Sequence, residues 1–236
     1  MNSIIKMIKT KALFFIVGLL LIMMIVVGII DGYRKNQEIR ANPAGYGLPL
    51  FITNEMMEAL FKTQEKCGIP VSSGLAQIIA ESGFGKYGEF GDVGEGLSKL
   101  AANYNNLFGV KFWDGDSYAI GSVDMETGEQ TKSGDSYTVN AGFSVYKSHT
   151  ASIRQRAEML KREPYYSKTL AVFPNKNDGR YTPEDAKGFV TGIWEAGWAT
   201  DVSYVEKLVK LMDYYNLYQF DNMTYKQFRQ GQETEE

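Results

Sequence analysis

The chain of 236 residues holds one cysteine, Cys67, and one histidine, His149. A lone cysteine excludes a disulfide framework within the chain. With a lone histidine beside it, a structural zinc site is excluded as well. No basic excess is present: 25 Lys and Arg stand against 28 Asp and Glu, a net charge of −3. Nucleic-acid binders show the opposite balance, so nucleic acid is not an expected partner. Internal repeats and low-complexity tracts are also lacking. With 44% hydrophobic and 22% charged residues, the chain is neither disordered, collagen-like nor coiled-coil, and it can bury a sizeable core.

What is present is uneven. Ala12 to Ile30 is a run of nineteen residues without a charge, long enough for a membrane-spanning helix. A cleavable signal peptide would have a shorter apolar stretch and a small-residue cleavage site, whereas Ile29-Ile30-Asp31 follows here. An uncleaved anchor at 12–30 is therefore expected, with residues 1–11 as a cytoplasmic N-terminus. Lys6, Lys9 and Lys11 lie before the run and Arg34, Lys35 and Arg40 after it, so the positive-inside count is nearly balanced. Of the 25 basic residues, 22 lie beyond the anchor against 28 acidic ones, leaving −6. A body of that charge does not adhere to anionic polymers in bulk. A cell-surface polymer would have to be held by a shaped site.

Residues 31–47 read as a polar linker, with Asn42-Pro43 and Gly45-Tyr46-Gly47. The body is expected over 48–221, followed by a polar, fraying tail over 222–236. Thr53 or Asn54 can cap a first helix carrying Met57, Leu60, Phe61 and Gln64, which ends at Cys67-Gly68. Ser72 or Ser73 can cap a second, with Leu75, Ile78 and Ile79 on its apolar stripe and Gly83 as its stop. A glycine-rich loop then leads to a short helix near Leu97–Asn103. From Val110 to Tyr146 the pattern is strand-like, with turns expected at Asp114-Gly115 and Thr127-Gly128. Helical spacing returns at Ile153, Ala157 and Leu160. Thr182-Pro183-Glu184-Asp185 has the form of a helix start, and Val205, Leu208, Val209 and Met212 mark the last expected helix.

Several motifs carry little. Gly83-Phe-Gly85-Lys-Tyr-Gly88 has the spacing of a dinucleotide loop but follows a helix, where that loop needs a strand. Asp114-Gly-Asp116 lacks the glycine of a calcium loop at position 119, where Ala sits. His149 and Cys67 are most simply a helix-start histidine and a small buried residue. Glu81 is different. It falls in the last turn of an apolar helix, where the negative end of the dipole and partial burial both disfavour a carboxylate. A general acid at neutral pH needs that treatment. Aromatics make up 13% of the chain, among them Phe84, Tyr87, Tyr104, Phe108, Phe112, Trp113 and Trp198, and flat rings suit uncharged faces.

Ala80-Glu81-Ser82-Gly83-Phe84-Gly85-Lys86 and Tyr104-Asn105-Asn106-Leu107-Phe108-Gly109-Val110-Lys111 resemble blocks of the bacterial peptidoglycan glucosaminidases of autolysins and flagellar rod assembly, glycoside hydrolase family 73. The resemblance continues through Phe143-Ser144-Val145-Tyr146-Lys147-Ser148 and through Ala196 to Tyr204. It implies a mainly α, α+β lysozyme-like fold, with a helical lobe and a small β-hairpin lobe flanking a cleft. It also implies cleavage of the β-1,4 bond after N-acetylglucosamine in peptidoglycan glycan strands, without metal or organic cofactor. By motif position Glu81 is the general acid. Asn105, Asn106, Phe108 and Gly109 would line the cleft, with Trp198, Asp201 and Tyr204 as further substrate contacts. The family's second carboxylate lies on the hairpin, where Asp124 and Glu126 share a strand face; Asp124 is preferred and Glu126 stays open. Trp198 and Val202 stand where the family shows Tyr and Pro. Together with the anchor expected at 12–30, such an activity makes a single-pass membrane protein with its catalytic domain on the wall side the expectation. A lytic transglycosylase or muramidase, or a non-catalytic wall-binding module, are the alternatives.

Overall fold

A computed structural model of the chain describes residues 46–89, 96–130, 136–171 and 181–233. The expected anchor at 12–30, and nearly all of the linker after it, lie outside the described residues. Among the described residues no helix is long and apolar enough to cross a membrane. The chain divides into Met1–Asn42 and Pro43–Glu236, and the second unit holds the whole of the described fold. Its elements are α1 (Asn54–Cys67), α2 (Val71–Ser82), α3 (Lys99–Tyr104), β1 (Ala119–Gln130), β2 (Ser136–Tyr146), α4 (His149–Leu160), α5 (Tyr165–Lys168), α6 (Pro183–Glu195), α7 (Tyr204–Tyr214), a 3-10 helix (Leu217–Asn222) and α8 (Tyr225–Glu233). This is a helix-rich α+β architecture with one two-stranded antiparallel sheet.

Helix α1 follows its local signals. Thr53 Oγ1 accepts from Met56 N at its start, and Gly68, at φ 75°, turns the chain out of it. Helix α2 is buried on every side over most of its length, as befits a helix at the centre of a domain. Its start differs from expectation. Neither Ser72 nor Ser73 caps it, because both hydroxyls donate instead: Ser72 to Asp221 Oδ2 at 2.6 Å and Ser73 to Pro70 O at 2.8 Å. The free N–H groups of the first turn are met from elsewhere, Val71 N by Gln64 Oε1 and Ser72 N by Asp221 Oδ1, at 3.0 and 2.8 Å. A carboxylate there also suits the positive end of the helix dipole. The helix that carries Glu81 is thus moored through a residue 149 positions away.

Helix α6 begins as the sequence predicts, with a reciprocal capping box between Thr182 and Asp185. The expected fraying tail is corrected. Residues Tyr225–Glu233 form α8, and Phe228 on it is fully buried. Its ring stacks on Tyr46 at 5.0 Å and meets Phe61 at 5.6 Å, while Tyr46 donates to Phe228 O at 2.8 Å. Residues on both sides of the expected 48–221 body therefore close the same core.

The hairpin pairs Asp124 with Gly142 and Glu126 with Asn140. A turn at Thr127-Gly128 is overturned, since β1 runs through both residues to Gln130 and β2 begins at Ser136. A hairpin alone is marginally stable, and this one is held at its base. The buried Asp116 accepts from Ser144 Oγ at 2.6 Å, from the Tyr146 hydroxyl at 2.8 Å, and from the N–H groups of Tyr118 and Ala119. Lys111 bridges to Phe143, so β2 is bordered at that end on its other side too.

Candidate active site

Glu81 occupies the last turn of α2. The stop after it is steric: a Cβ on Gly83 would lie 2.5 Å from the Phe51 ring and 2.7 Å from Ile79 O. Phe84 follows at φ 57°, a left-handed conformation uncommon for a non-glycine residue. Its ring is 51% exposed and stands edge-on to Phe51 at 5.5 Å. The glycine-rich segment is pinned at both described ends, with Gly85 bridged to Gly96 and Tyr87 to Leu97. Ser82 ties the helix end to the next block by donating to Leu107 O at 2.7 Å.

Glu81 is exposed as a residue, and the crowding falls on the inner side of its carboxyl, where the end of α2 meets Tyr204. That crowding desolvates the charged form and raises the pKa above the ordinary carboxylate value. The Tyr204 hydroxyl opposes the rise by donating to Oε1 at 2.9 Å. Behind Tyr204 the chain of contacts goes on. Gln77 Nε2 donates to the Tyr204 oxygen at 2.9 Å, and Arg156 Nε donates to Gln77 Oε1 at 2.6 Å. Arg156 also donates to Ser73 Oγ at 3.1 Å and packs its guanidinium over the Phe108 ring. Gln77, Ser73 and Arg156 are all buried.

Asp124 and Glu126 stand on the exposed face of β1, and neither side chain has a hydrogen bond or ion pair among the described residues. The expected cleft residues fall into two groups. Asn106 and Phe108 do not line an open surface, because both are buried. The Asn106 amide donates to Val110 O and Ser144 O and accepts from Val110 N, so it joins the 106–110 loop to β2. Asn105, at φ 57°, ends α3 and donates to Tyr146 O, while Gly109 is exposed. Trp198 is half-buried against Tyr165 at 5.7 Å. Asp201 is engaged by Lys207 at 2.6 Å and by Ser203, which together hold its pKa down to about 2. Tyr204 is buried, with its hydroxyl on Glu81.

Two residues of the site, Gln77 and Arg156, were not singled out in the sequence, and a third, Ser73, was read only as a helix cap. Signals existed for the first two. Gln77 is four residues before Glu81 on one helix face, and Arg156 interrupts the apolar stripe of Ile153, Ala157 and Leu160. His149 is a half-buried helix-start residue whose Nε2 meets Ala101 O at 3.0 Å. A separate open cavity of about 560 Å³ is walled by Lys168, Trp194, Glu195, Ala199, Thr200 and Val202, and Glu81 is not part of its wall. Among the described residues no cluster of His, Cys, Asp and Glu could hold a metal ion.

The family described as Glucosaminidase: Mannosyl-glycoprotein endo-beta-N-acetylglucosaminidase matches residues 57–217. The exo-glucosaminidase LytG of Bacillus subtilis (strain 168) is 31% identical over 159 residues, which cover 67% of this chain and 49% of LytG. A probable N-acetylmuramidase of Lactococcus lactis subsp. cremoris (strain MG1363) is 33% identical over 160 residues, 65% of this chain and 31% of that protein. The chain thus spans half or less of the length of these curated relatives. Among solved structures, a mutant peptidoglycan hydrolase from Sphingomonas sp. A1 shares the fold with a TM-score of 0.50 at 23% identity, covering 69% of this chain and 91% of that one.

Proposed function

The chain belongs to this glucosaminidase family, and on that premise we propose that it cleaves the β-1,4 bond after N-acetylglucosamine in peptidoglycan glycan strands. One observation carries the reading: a glutamate at the end of a buried helix, with its pKa raised by desolvation and one oxygen held by Tyr204. A carboxyl that holds its proton above the ordinary carboxylate range can donate it to the glycosidic oxygen as the bond to the sugar carbon breaks. Asp124, or Glu126 beside it, would activate the water that completes hydrolysis. The exposed rings of Phe84, Phe112 and Trp113 supply flat apolar surface for sugars. The uncharged run at 12–30 would hold the domain on the wall side of the membrane as a single-pass anchor. Digestion of the body by protease added to intact, wall-stripped cells tests that orientation, and full protection would overturn it.

The experiment for the chemistry is digestion of purified cell walls by the full-length protein, followed by borohydride reduction. A glucosaminidase gives glucosaminitol ends. Muramitol ends would favour the muramidase reading suggested by the name of the Lactococcus relative, and anhydromuramyl ends would assign a lytic transglycosylase. Glu81→Gln keeps the shape but carries no transferable proton, so turnover should fall by about 10²–10⁴ with the fold intact. Full activity in that variant would remove Glu81 from the role of proton donor.

A further inference from the structure

We propose that the buried Arg156, acting through Gln77 and Tyr204, orders a one-way hydrogen-bond chain that ends on Glu81 Oε1 and so leaves the transferable proton on Oε2. The inference rests on the reading of Glu81 as proton donor and adds two positioning residues to it, Arg156 and Gln77.

The direction of the chain follows from donor and acceptor arithmetic. A guanidinium has no acceptor. Arg156 Nε, 2.6 Å from residue 77, therefore fixes the Gln77 oxygen toward itself. The Gln77 amide nitrogen then faces Tyr204, and as a pure donor it makes the Tyr204 oxygen an acceptor at 2.9 Å. The hydroxyl hydrogen of Tyr204 is left to point outward, and Glu81 Oε1 lies 2.9 Å away. Ser73 reinforces the same sense, because its hydroxyl donates to Pro70 O and accepts from Arg156. Every member points its donor toward Glu81 or away from the cation.

Arg156 makes this direction permanent. Among the described residues no carboxylate pairs with it, and its listeners are Gln77, Ser73 and the Phe108 ring. Burial lowers its pKa only to about 10, so it stays charged at neutral pH. The groups that face the chain are few. Burial and Tyr204 account for the shift of Glu81, while Tyr204 is faced by Glu81, Gln77 and Arg156. A chain of this kind polarises along its length. Its terminal donor gains strength as Glu81 gives up its proton and becomes a carboxylate. The bond broken is O–H at Oε2, the bond formed is O–H on the leaving oxygen, and Oε1 already holds its donor.

The test is Gln77→Glu in the full-length protein. The new carboxylate keeps the bond from Arg156 and pairs with it, so the fold is retained. A carboxylate cannot donate, so Tyr204 must turn its hydrogen from Glu81 to residue 77. Glu81 loses its donor, and its titration midpoint, read directly by ¹³C NMR of labelled glutamate, should rise by about one pH unit or more. The signal is assigned by its loss in Glu81→Gln. Wall cleavage should fall about tenfold in kcat with KM little changed, and the high-pH limb should move upward by the same amount as the midpoint. A through-space effect of the added charge is separated by repeating Gln77→Glu in a Tyr204→Phe background, where the extra shift should shrink to a small fraction. Arg156→Met should also raise the midpoint, and Arg156→Lys, still a donor without an acceptor, should restore most of it. An unchanged midpoint in Gln77→Glu, or an equal shift with Tyr204 replaced, overturns the chain. Because the midpoint is read without substrate, that failure is distinct from inactivity of the wild-type protein on walls, which would overturn the glucosaminidase reading instead.

Discussion

Glu81 stands at the end of a helix buried along most of its length, with one oxygen taken by Tyr204 and a cation two hydrogen bonds behind that tyrosine. Asp124 and Glu126 stand on a two-stranded hairpin, exposed, with no side-chain partner among the described residues. The contrast matches the demands of the two roles proposed for these acids. A proton donor at neutral pH must be held away from its ordinary ionisation, which takes local desolvation of the carboxyl and directed hydrogen bonds rather than a fully buried residue. A carboxylate that activates water needs only its charge and access to the substrate. The first requires a rigid interior; the second can be met at a surface. The hairpin is accordingly tied down by hydrogen bonds where it joins the body, through Asp116 and Asn106, and exposed where its acids lie.

The sharpest way to break this contrast is to weaken the body and leave the hairpin alone. Phe228→Ala should cost about 3–5 kcal/mol, the usual range for emptying a buried aromatic site. Chemical denaturation of the purified protein measures it. A loss below about 1 kcal/mol would mean that α8 is not part of the core that holds α2 in place.

The hairpin should respond in activity instead. Asp124→Asn should lower turnover by about 10² if it activates the water, with little change in unfolding free energy. Glu126→Gln should then be mild. The reverse ranking would move the role to Glu126, and two near-neutral results would favour participation of the substrate's own acetamido group.

What the sequence revealed divides along the same line between local and distant causes. The ends of α1 and the start of α6 were legible because Thr53, Gly68 and the Thr182–Asp185 pair act within a few residues. The start of α2 was misread at Ser72 and Ser73, since its partner Asp221 is remote and no local pattern reports it. Helix α8 was misread as a fraying tail because Phe228 is one buried ring in a polar stretch, and its value depends on Tyr46 and Phe61. The turn expected at Thr127-Gly128 gave way to continued pairing with Thr138 and Val139. At the site, Glu81 was legible from its helix-end position and block, whereas the burial of Asn106 follows from bonds to a strand 38 residues away. Arg156 was visible as a charge on an apolar stripe, but its direction toward Glu81 required Gln77 and Tyr204 in space.

The smallest expected effect concerns how the body answers pH. Burial lowers the pKa of His149 below its ordinary value, with the contact to Ala101 O and the charge of Glu55 opposing. A carbonyl can only accept, so Nε2 carries the hydrogen in the neutral ring and charging must occur at Nδ1, at the positive end of α4. The unfolded chain binds this proton more readily than the folded one. Stability from His149 is therefore full above its unfolded pKa, near 6.5, and is lost as pH falls from there through the lower folded value. Glu81 acts with the opposite sign. Its raised pKa means that the folded state holds the extra proton, so its contribution is full at low pH and is lost as pH rises through the folded value. The wild-type slope mixes the two, and only a difference isolates either. His149→Gln keeps a donor for Ala101 O and does not titrate. The melting temperature of the wild type should therefore fall, relative to this variant, as pH is lowered from about 7.5 to about 5.5, the range that brackets the ordinary histidine pKa. Parallel curves over that range would show that the α4 start does not select the neutral ring.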